Sequence, residues 1–189
     1  MQFSSMQLQS GHIFVIGGQA QDLVLRSCFE IDGNMVMLEK EPMKTGRYNS
    51  ALALLSDKLI FAIGGSIGKG KVTDTVECYD TATNIWTPVG SLNKARSSTS
   101  ACSVGNRYLY VFPGQQKETW NTIECFDVGS SIQDMRELKK LKWSLLTIAN
   151  QDMASSYSFG SVLLAQNELL LFGGNKTSTF LFDFANTLT

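Results

Sequence analysis

The stretch from Gly65 to Val72, GSIGKGKV, follows the apolar run LIFAI and carries the G-x-x-x-x-G-K spacing of a phosphate-binding loop. Such a loop needs backbone N–H groups curled around the phosphates, a hydroxyl for magnesium and a helix N-terminus behind them. Here Val72 stands where the hydroxyl belongs, and the following TDTVECYDTATNIW alternates as a strand does and turns at Thr83 and Asn84. With no helix expected behind Lys71, the glycines need another explanation. The remaining chemistry-bearing residues are few. There are four cysteines (Cys28, Cys78, Cys102 and Cys125), one histidine (His12), and the acids Glu30, Asp80, Asp127 and Asp183. One imidazole without a matching Ser-His-Asp setting makes no hydrolytic triad, and it cannot supply the several nitrogen ligands of an imidazole-bound metal.

Composition narrows the field further. Across 189 residues, 43% are hydrophobic and 17% charged, which suits a folded chain rich in β-structure. Sixteen basic residues against seventeen acidic ones leave a net charge of -1, so the basic excess that phosphate neutralisation requires is missing and no nucleic-acid partner is expected. The longest apolar runs, ELLLFGG and KLIFAIGG, fall far short of the roughly 20 residues that span a bilayer. The opening MQFSSMQLQS has neither the basic start nor the apolar stretch of a signal peptide. These readings point to a cytoplasmic, reducing setting, with no membrane partner.

The elements that position these residues repeat. Aligned on paired glycines, the chain shows HIFVIGG at Gly17 and Gly18, LIFAIGG at Gly64 and Gly65, YLYVFPG at Pro113 and Gly114, and ELLLFGG at Gly173 and Gly174, with offsets of 47, 49 and 60 residues. A second family keeps step: SCFEID, VECYDTATNIW, IECFD and FLFDF. Arg47 and Arg96 each stand 17 residues before the glycine position, and Ser156 takes that place in the fourth unit. Each unit therefore reads as four short strands: one of small residues, one ending in diglycine, one ending in an aromatic and an acid, and a last one. Ser56-Asp57 and Gly105-Asn106 have the chemistry of tight hairpin turns. SIQDMRELKKLK is a weakly helical insertion, because Tyr79 to Trp86 spans 7 residues whereas Phe126 to Trp143 spans 17.

These residues resemble the kelch repeat, in which a basic residue precedes a small-residue strand, an aromatic-rich strand closes with Gly-Gly, and Tyr-Asp and then Trp follow. The second unit matches best, through Arg47, Gly64, Gly65, Tyr79, Asp80 and Trp86; elsewhere Pro113 replaces a glycine, Val36 stands in the counted position of the Trp, and Ser156 replaces the arginine. The resemblance covers essentially the whole chain. It implies an all-β fold, a kelch-type β-propeller of about four antiparallel blades, in one domain over residues 1–189 with blades at approximately 1–43, 44–92, 93–152 and 153–189. Small side chains in NSALA, STSAC and SFGSV suit strands crowded round an axis, and Phe14, Phe61, Tyr110 and Leu170 are expected to fill the space between blades. GSIGKGKV then becomes a diglycine motif followed by a flexible, lysine-bearing loop.

The repeat also reassigns the candidate sites. Cys28, Cys78 and Cys125 share a column with Leu181, so they read as buried packing thiols, as does Cys102. His12 shares its column with Leu59, Tyr108 and Glu168 and reads as a partly exposed strand start. Glu30, Asp80, Asp127 and Asp183 recur at one position and read as turn or backbone-capping groups. What varies is where binding specificity belongs: the loops QAQD, SIGKGKVTD, QQKETWN and NKTS. Lys69, Lys71, Gln116, Lys117 and Trp120 are the partner-binding candidates, with Trp120 either an interface anchor or a packing residue. Arg47 and Arg96 either reach a partner carboxylate or serve within the blade.

Propellers contain about four to eight blades, and this chain supplies barely four. A small ring and an open arc of a larger propeller both fit; the arc is preferred because no terminal strand is obviously built for closure, and a further chain would then complete it. The function expected from the resemblance is a non-catalytic module that binds another protein, as a scaffold or substrate receptor, with no cofactor and no metal. A propeller enzyme acting on a sugar-like molecule and a purely structural arc are the alternatives.

Overall fold

A computed structural model describes residues 2–129, 135–147, 159–165, 168–174 and 178–183. Ser156, most of the fourth loop at 175–178 and the segment after Asp183 lie outside the described residues. The first sheet is built from β1 (Gln2–Gln7), β2 (Ile13–Ala20), the short β3 (Leu23–Val24), β4 (Cys28–Ile31) and β5 (Met37–Lys40). The second uses β6 (Ala51–Leu55), β7 (Leu59–Ile63), a hairpin of β8 (Ser66–Gly68) and β9 (Lys71–Val72), then β10 (Thr75–Asp80) and β11 (Ile85–Ser91). The third holds β12 (Ala101–Val104), β13 (Tyr108–Val111), a 3-10 turn at Lys117–Thr119, β14 (Thr122–Asp127), a single helical turn α1 (Met135–Leu138) and β15 (Ser144–Thr147). β16 (Phe159–Ala165), β17 (Glu168–Gly173) and β18 (Ser178–Asp183) make the fourth.

All pairings are antiparallel, with orders β1-β2-β4-β5, β6-β7-β10-β11, β12-β13-β14-β15 and β16-β17-β18. The first strands of successive sheets pack side by side, β1 on β6, β6 on β12 and β12 on β16. These are four blades of a β-propeller, and the expected repeat is observed unit by unit. Apolar faces at strand spacing make the cores between them. Phe14, Ile16 and Cys28 of the first blade meet Ile60, Ala62, Tyr79 and Trp86 of the second. Phe61, Ile63 and Cys78 meet Leu109, Val111, Phe126 and Trp143 of the third. Tyr110, Phe112 and Cys125 meet Leu169, Leu171 and Phe182 of the fourth.

Three details differ from the sequence expectation. The segment after Gly65 forms the ordered β8–β9 hairpin, closed by Lys69 and Gly70 at φ +53° and +72°. Pairing register sets Glu39, not Val36, opposite Phe29, as Trp86 stands opposite Tyr79. The cause is a longer turn, in which Asp32 Oδ1 accepts hydrogen bonds from the backbone of Asn34 and Val36 and displaces the last strand along the chain. Among the described residues of the third unit's insertion, the helix is confined to Met135–Leu138, and it delivers a buried Leu138 to the core between the second and third blades.

The paired glycines have a steric cause. Gly64 has φ +60°, and a Cβ there would collide with the carbonyl oxygen of Arg96 on the segment entering the next blade; Gly17 stands in the same relation to Arg47. Gly70 is also left-handed but faces open space. Gly64→Ala is therefore expected to cost about 2–4 kcal/mol, and Gly70→Ala only about 1–2 kcal/mol, the left-handed penalty alone. Urea denaturation of the two variants checks the difference.

Candidate functional site

Antiparallel order sends the loops after the diglycines and the links between blades to the same end of the structure. That end carries every partner-binding candidate, and its geometry begins with two buried ion pairs. Arg47 and Arg96 are both 0% exposed. The Arg47 guanidinium donates to the carbonyls of Gly64 and Thr75 at 2.9 Å each, and to Glu77 Oε1 at 2.8 Å. Arg96 repeats this on the third blade, donating to the Phe112 carbonyl at 3.0 Å, the Thr122 carbonyl at 3.2 Å and Glu124 Oε1 at 2.6 Å. Burial pulls both guanidinium groups below their ordinary value, and the facing carboxylates oppose that shift.

Each carboxylate then grips the link that arrives from the preceding blade. Glu77 accepts the backbone N–H groups of Lys44 and Thr45 at 2.7 and 2.9 Å. Glu124 accepts those of Asn93 and Lys94 at 2.6 and 3.0 Å. The arginine carbonyls close the unit by accepting from Gly18 and Gly65 of the preceding blades, both at 2.8 Å. Arg47 and Arg96 are thus removed from the surface candidates, because both guanidinium groups are buried and bonded within the protein, Arg47 Nε alone being buried without a partner among the described residues. Their carboxylate partners, Glu77 and Glu124, were not singled out from sequence. The signal was there: units two and three hold both Arg and Glu, whereas unit four holds Ser156 and Phe180 in the two columns.

The remaining candidates divide by exposure. Lys69, Lys71 and Lys117 are exposed, and so is Lys44, which the sequence reading passed over; among the described residues none of the four takes part in an ion pair. Gln116 is half-buried and holds its loop to the neighbouring link, with Oε1 accepting from Ser97 N at 2.8 Å and Nε2 donating to Ser97 Oγ at 3.0 Å. Trp120 is half-buried, its Nε1 is buried without a protein partner, and Lys117 Nζ lies 6.0 Å from its ring centre. The motif residues serve the blade. Tyr79 Oη donates to Asn84 Oδ1 at 2.7 Å, Asp80 Oδ1 accepts from Ala82 N at 2.9 Å, and Trp86 Nε1 donates to the Glu41 carbonyl at 2.8 Å. Gly173 and Gly174 are left-handed as Gly17, Gly18, Gly64 and Gly65 are, whereas Gly114 is not.

The acids and thiols follow their repeat columns. Asp127 caps Gly129 N at 2.9 Å and receives Arg107 at 2.8 and 2.7 Å. Glu30 is different: it bridges His12 Nδ1 at 2.6 Å and Lys40 Nζ at 2.9 Å. Burial opposes its ionisation, yet these hydrogen bonds and charges prevail and hold its carboxyl below the ordinary range. All four cysteines are free. Burial pushes Cys28 and Cys102 up to about 12, and raises Cys78 and Cys125 as well. On the axis, a cavity of about 330 Å³ is lined by hydroxyls of Ser4, Ser5, Ser50, Thr99, Ser100 and Ser161, together with small and apolar residues. No titratable side chain is among the described residues that line it. Nor do the described residues gather three or more His, Cys, Asp or Glu side chains where they could hold a metal ion.

Four antiparallel blades, the first three sealed one to the next at left-handed glycines, define a β-propeller protein. Comparison adds a motif: the Kelch motif profile matches residues 47–93. The chain is also similar to Kelch-like protein 26 of Danio rerio, at 31% identity over 61% of this chain and 20% of that protein. It is 28% identical to Kelch-like protein 25 of Xenopus tropicalis over 72% of this chain and 23% of that protein. Residues 47–93 thus carry a Kelch motif within a four-bladed β-propeller, and the chain spans about a fifth of the length of the curated relatives it matches. No described helix is long and apolar enough to cross a membrane.

Two measurements test this geometry. Arg96→Ala leaves Glu124 buried and uncompensated, and should destabilise the protein by about 3–5 kcal/mol. The double variant Arg96→Ala, Glu124→Ala should lose clearly less than the sum of its singles, as read from a denaturant double-mutant cycle. At pH 8 the native protein should react negligibly with a thiol-specific chromogen, because the nucleophilic thiolate is scarce in buried groups of raised pKa; unfolding in urea should release all four thiols.

Proposed function

We propose that the chain is a non-catalytic protein-interaction module, of scaffold or substrate-receptor type, that binds an acidic stretch of another protein at the loop end of the blades. The observation that carries this reading is the set of exposed lysines, Lys69, Lys71 and Lys117, unpaired among the described residues and mounted on loops that the Arg–Glu pairs and the Gln116 clamp hold in place. Loops on a rigid scaffold are where binding residues concentrate, and a cluster of one sign steers an oppositely charged partner. The kelch-like names of the relatives support an interaction role, and the hydroxyl-lined axis supports a non-catalytic one. We take residues 1–189 as one kelch-repeat domain working in the cytoplasm without nucleic acid, membrane or cofactor; the near-zero net charge and free thiols fit that setting.

Affinity capture from native lysate with the wild-type chain and with Lys69→Ala, Lys71→Ala, Lys117→Ala tests the reading. The expected result is loss of the captured partner by roughly tenfold, binding that weakens as salt rises, and an unchanged unfolding midpoint, since exposed substitutions barely alter stability. Equal recovery by the triple variant, insensitive to salt, would overturn it.

A further inference from the structure

The ties between neighbouring blades are not the same at every junction. Between the first and second blades Gly18 N donates to the Arg47 carbonyl at 2.8 Å, and Glu77 grips the connecting link through Lys44 N and Thr45 N. Between the second and third, Gly65 N donates to the Arg96 carbonyl at 2.8 Å, Ser98 N donates to the Asn49 carbonyl at 2.9 Å, and Glu124 grips Asn93 N and Lys94 N. The third blade departs from this pattern. Gly114 stands where Gly18 and Gly65 do, but its N–H donates at 3.0 Å to Thr119 Oγ1 of its own loop and not to the next blade. Pro113 replaces the other glycine of the pair. In the fourth blade Phe180 pairs with Leu171 as Glu77 does with Ala62 and Glu124 with Val111. A ring therefore stands where the other blades place a carboxylate, and it offers no oxygen to a backbone N–H. Among the described residues the third and fourth blades are joined by apolar contact, Tyr110, Phe112 and Cys125 against Leu169, Leu171 and Phe182. The one polar tie described is the hydroxyl of Ser161, 2.5 Å from Ser100 Oγ and 3.4 Å from the Ala101 carbonyl it donates to.

We propose that the seam between the third and fourth blades is a built-in opening point, at which the fourth blade separates as a unit while the first three stay together as one stapled body. Apolar contact is non-directional, whereas each hydrogen bond that must break shifts an opening equilibrium by roughly tenfold. The first two junctions each have at least three such bonds from backbone N–H groups; the third has none among the described residues. Both sides of this seam lie within the chain, so the contrast holds whatever blades precede the first or follow the fourth. Proteins open in contiguous units of this size, and the least tied unit opens first.

Native-state hydrogen exchange of the full chain, read by mass spectrometry, tests this, because amides freed by a local opening exchange ahead of those that need global unfolding. The strands to compare are β17 of the fourth blade, β2 of the first and β7 of the second, each hydrogen-bonded on both sides within its sheet. The first and fourth blades each pack against one neighbouring blade among the described residues, so they differ in their ties. The expected result is that Leu169, Leu170 and Leu171 exchange at least about a hundredfold faster than the amides of β2 and β7, as the missing bonds require. The double variant Arg47→Ser, Glu77→Phe gives the second blade the residues of the fourth in both columns, Ser156 and Phe180. It should speed exchange in β2 by about tenfold or more while β17 is unchanged. Exchange in β17 as slow as in β7, or equal exchange in β2 and β17 of the wild type, would overturn the proposal. A folded double variant in which β2 exchanges as before would overturn it as well.

Discussion

A buried guanidinium that cannot be left unpaired organises this protein. Taking Arg47 and Arg96 out of water carries a large desolvation cost, and it is met only because each finds a carboxylate and two or more carbonyls within the blade. The same residues satisfy three separate needs. Their side chains close the open ends of their own strands, their backbone carbonyls accept from the diglycine of the blade before, and their glutamate partners hold the incoming link by its N–H groups. A pair of this kind gives little net stability relative to an apolar replacement, but it fixes one register between neighbouring sheets. That is what a radial stack needs, because face-to-face apolar packing is non-directional.

From that constraint follows the contrast between the two ends of the blades. At the loop end the links, the diglycines and the Gln116 clamp form a hydrogen-bonded layer, and its outer surface carries exposed lysines together with Asp22, Arg26 and Glu118. At the opposite end, tight turns at Ser56-Asp57 and Gly105-Asn106, all but Gly105 non-glycine residues at positive φ, reverse the chain and tie neighbouring blades, Asp57 Oδ1 accepting from Gln9 N and Asn106 Oδ1 from Ser56 N. The recurring acids Glu30, Asp80 and Asp127 are occupied there as well, by Asx turns and by Arg107, His12 and Lys40. Polar chemistry among the described residues is mostly spent on holding backbone.

Much of the architecture was legible in the sequence. The repeated diglycines, the column of Cys28, Cys78 and Cys125, and the aromatics Phe14, Phe61 and Tyr110 predicted blade count, strand order and buried thiols, because steric and apolar demands recur at each blade and leave the same residue types behind. Reading went astray where spacing alone was counted. Val36 lay at the right distance for a Trp column, yet the turn capped by Asp32 moved that column to Glu39. Arg47 and Arg96 were open to two readings, since an arginine's type does not say whether its donors face in or out.

What the sequence by itself determined is the local part: which residues alternate, where a side chain is too large for the backbone beside it, and where a strand must stop. Those are properties of a few neighbouring residues, and they are written once per repeat. Only tertiary structure decided that Glu77 answers Arg47 across 30 positions, that Lys69, Lys71 and Lys117 stay unpaired among the described residues while Gln116 turns inward, and that Leu181 lies bare while its column mates are buried. Burial and pairing depend on what the next sheet brings, and that neighbour is distant in the chain.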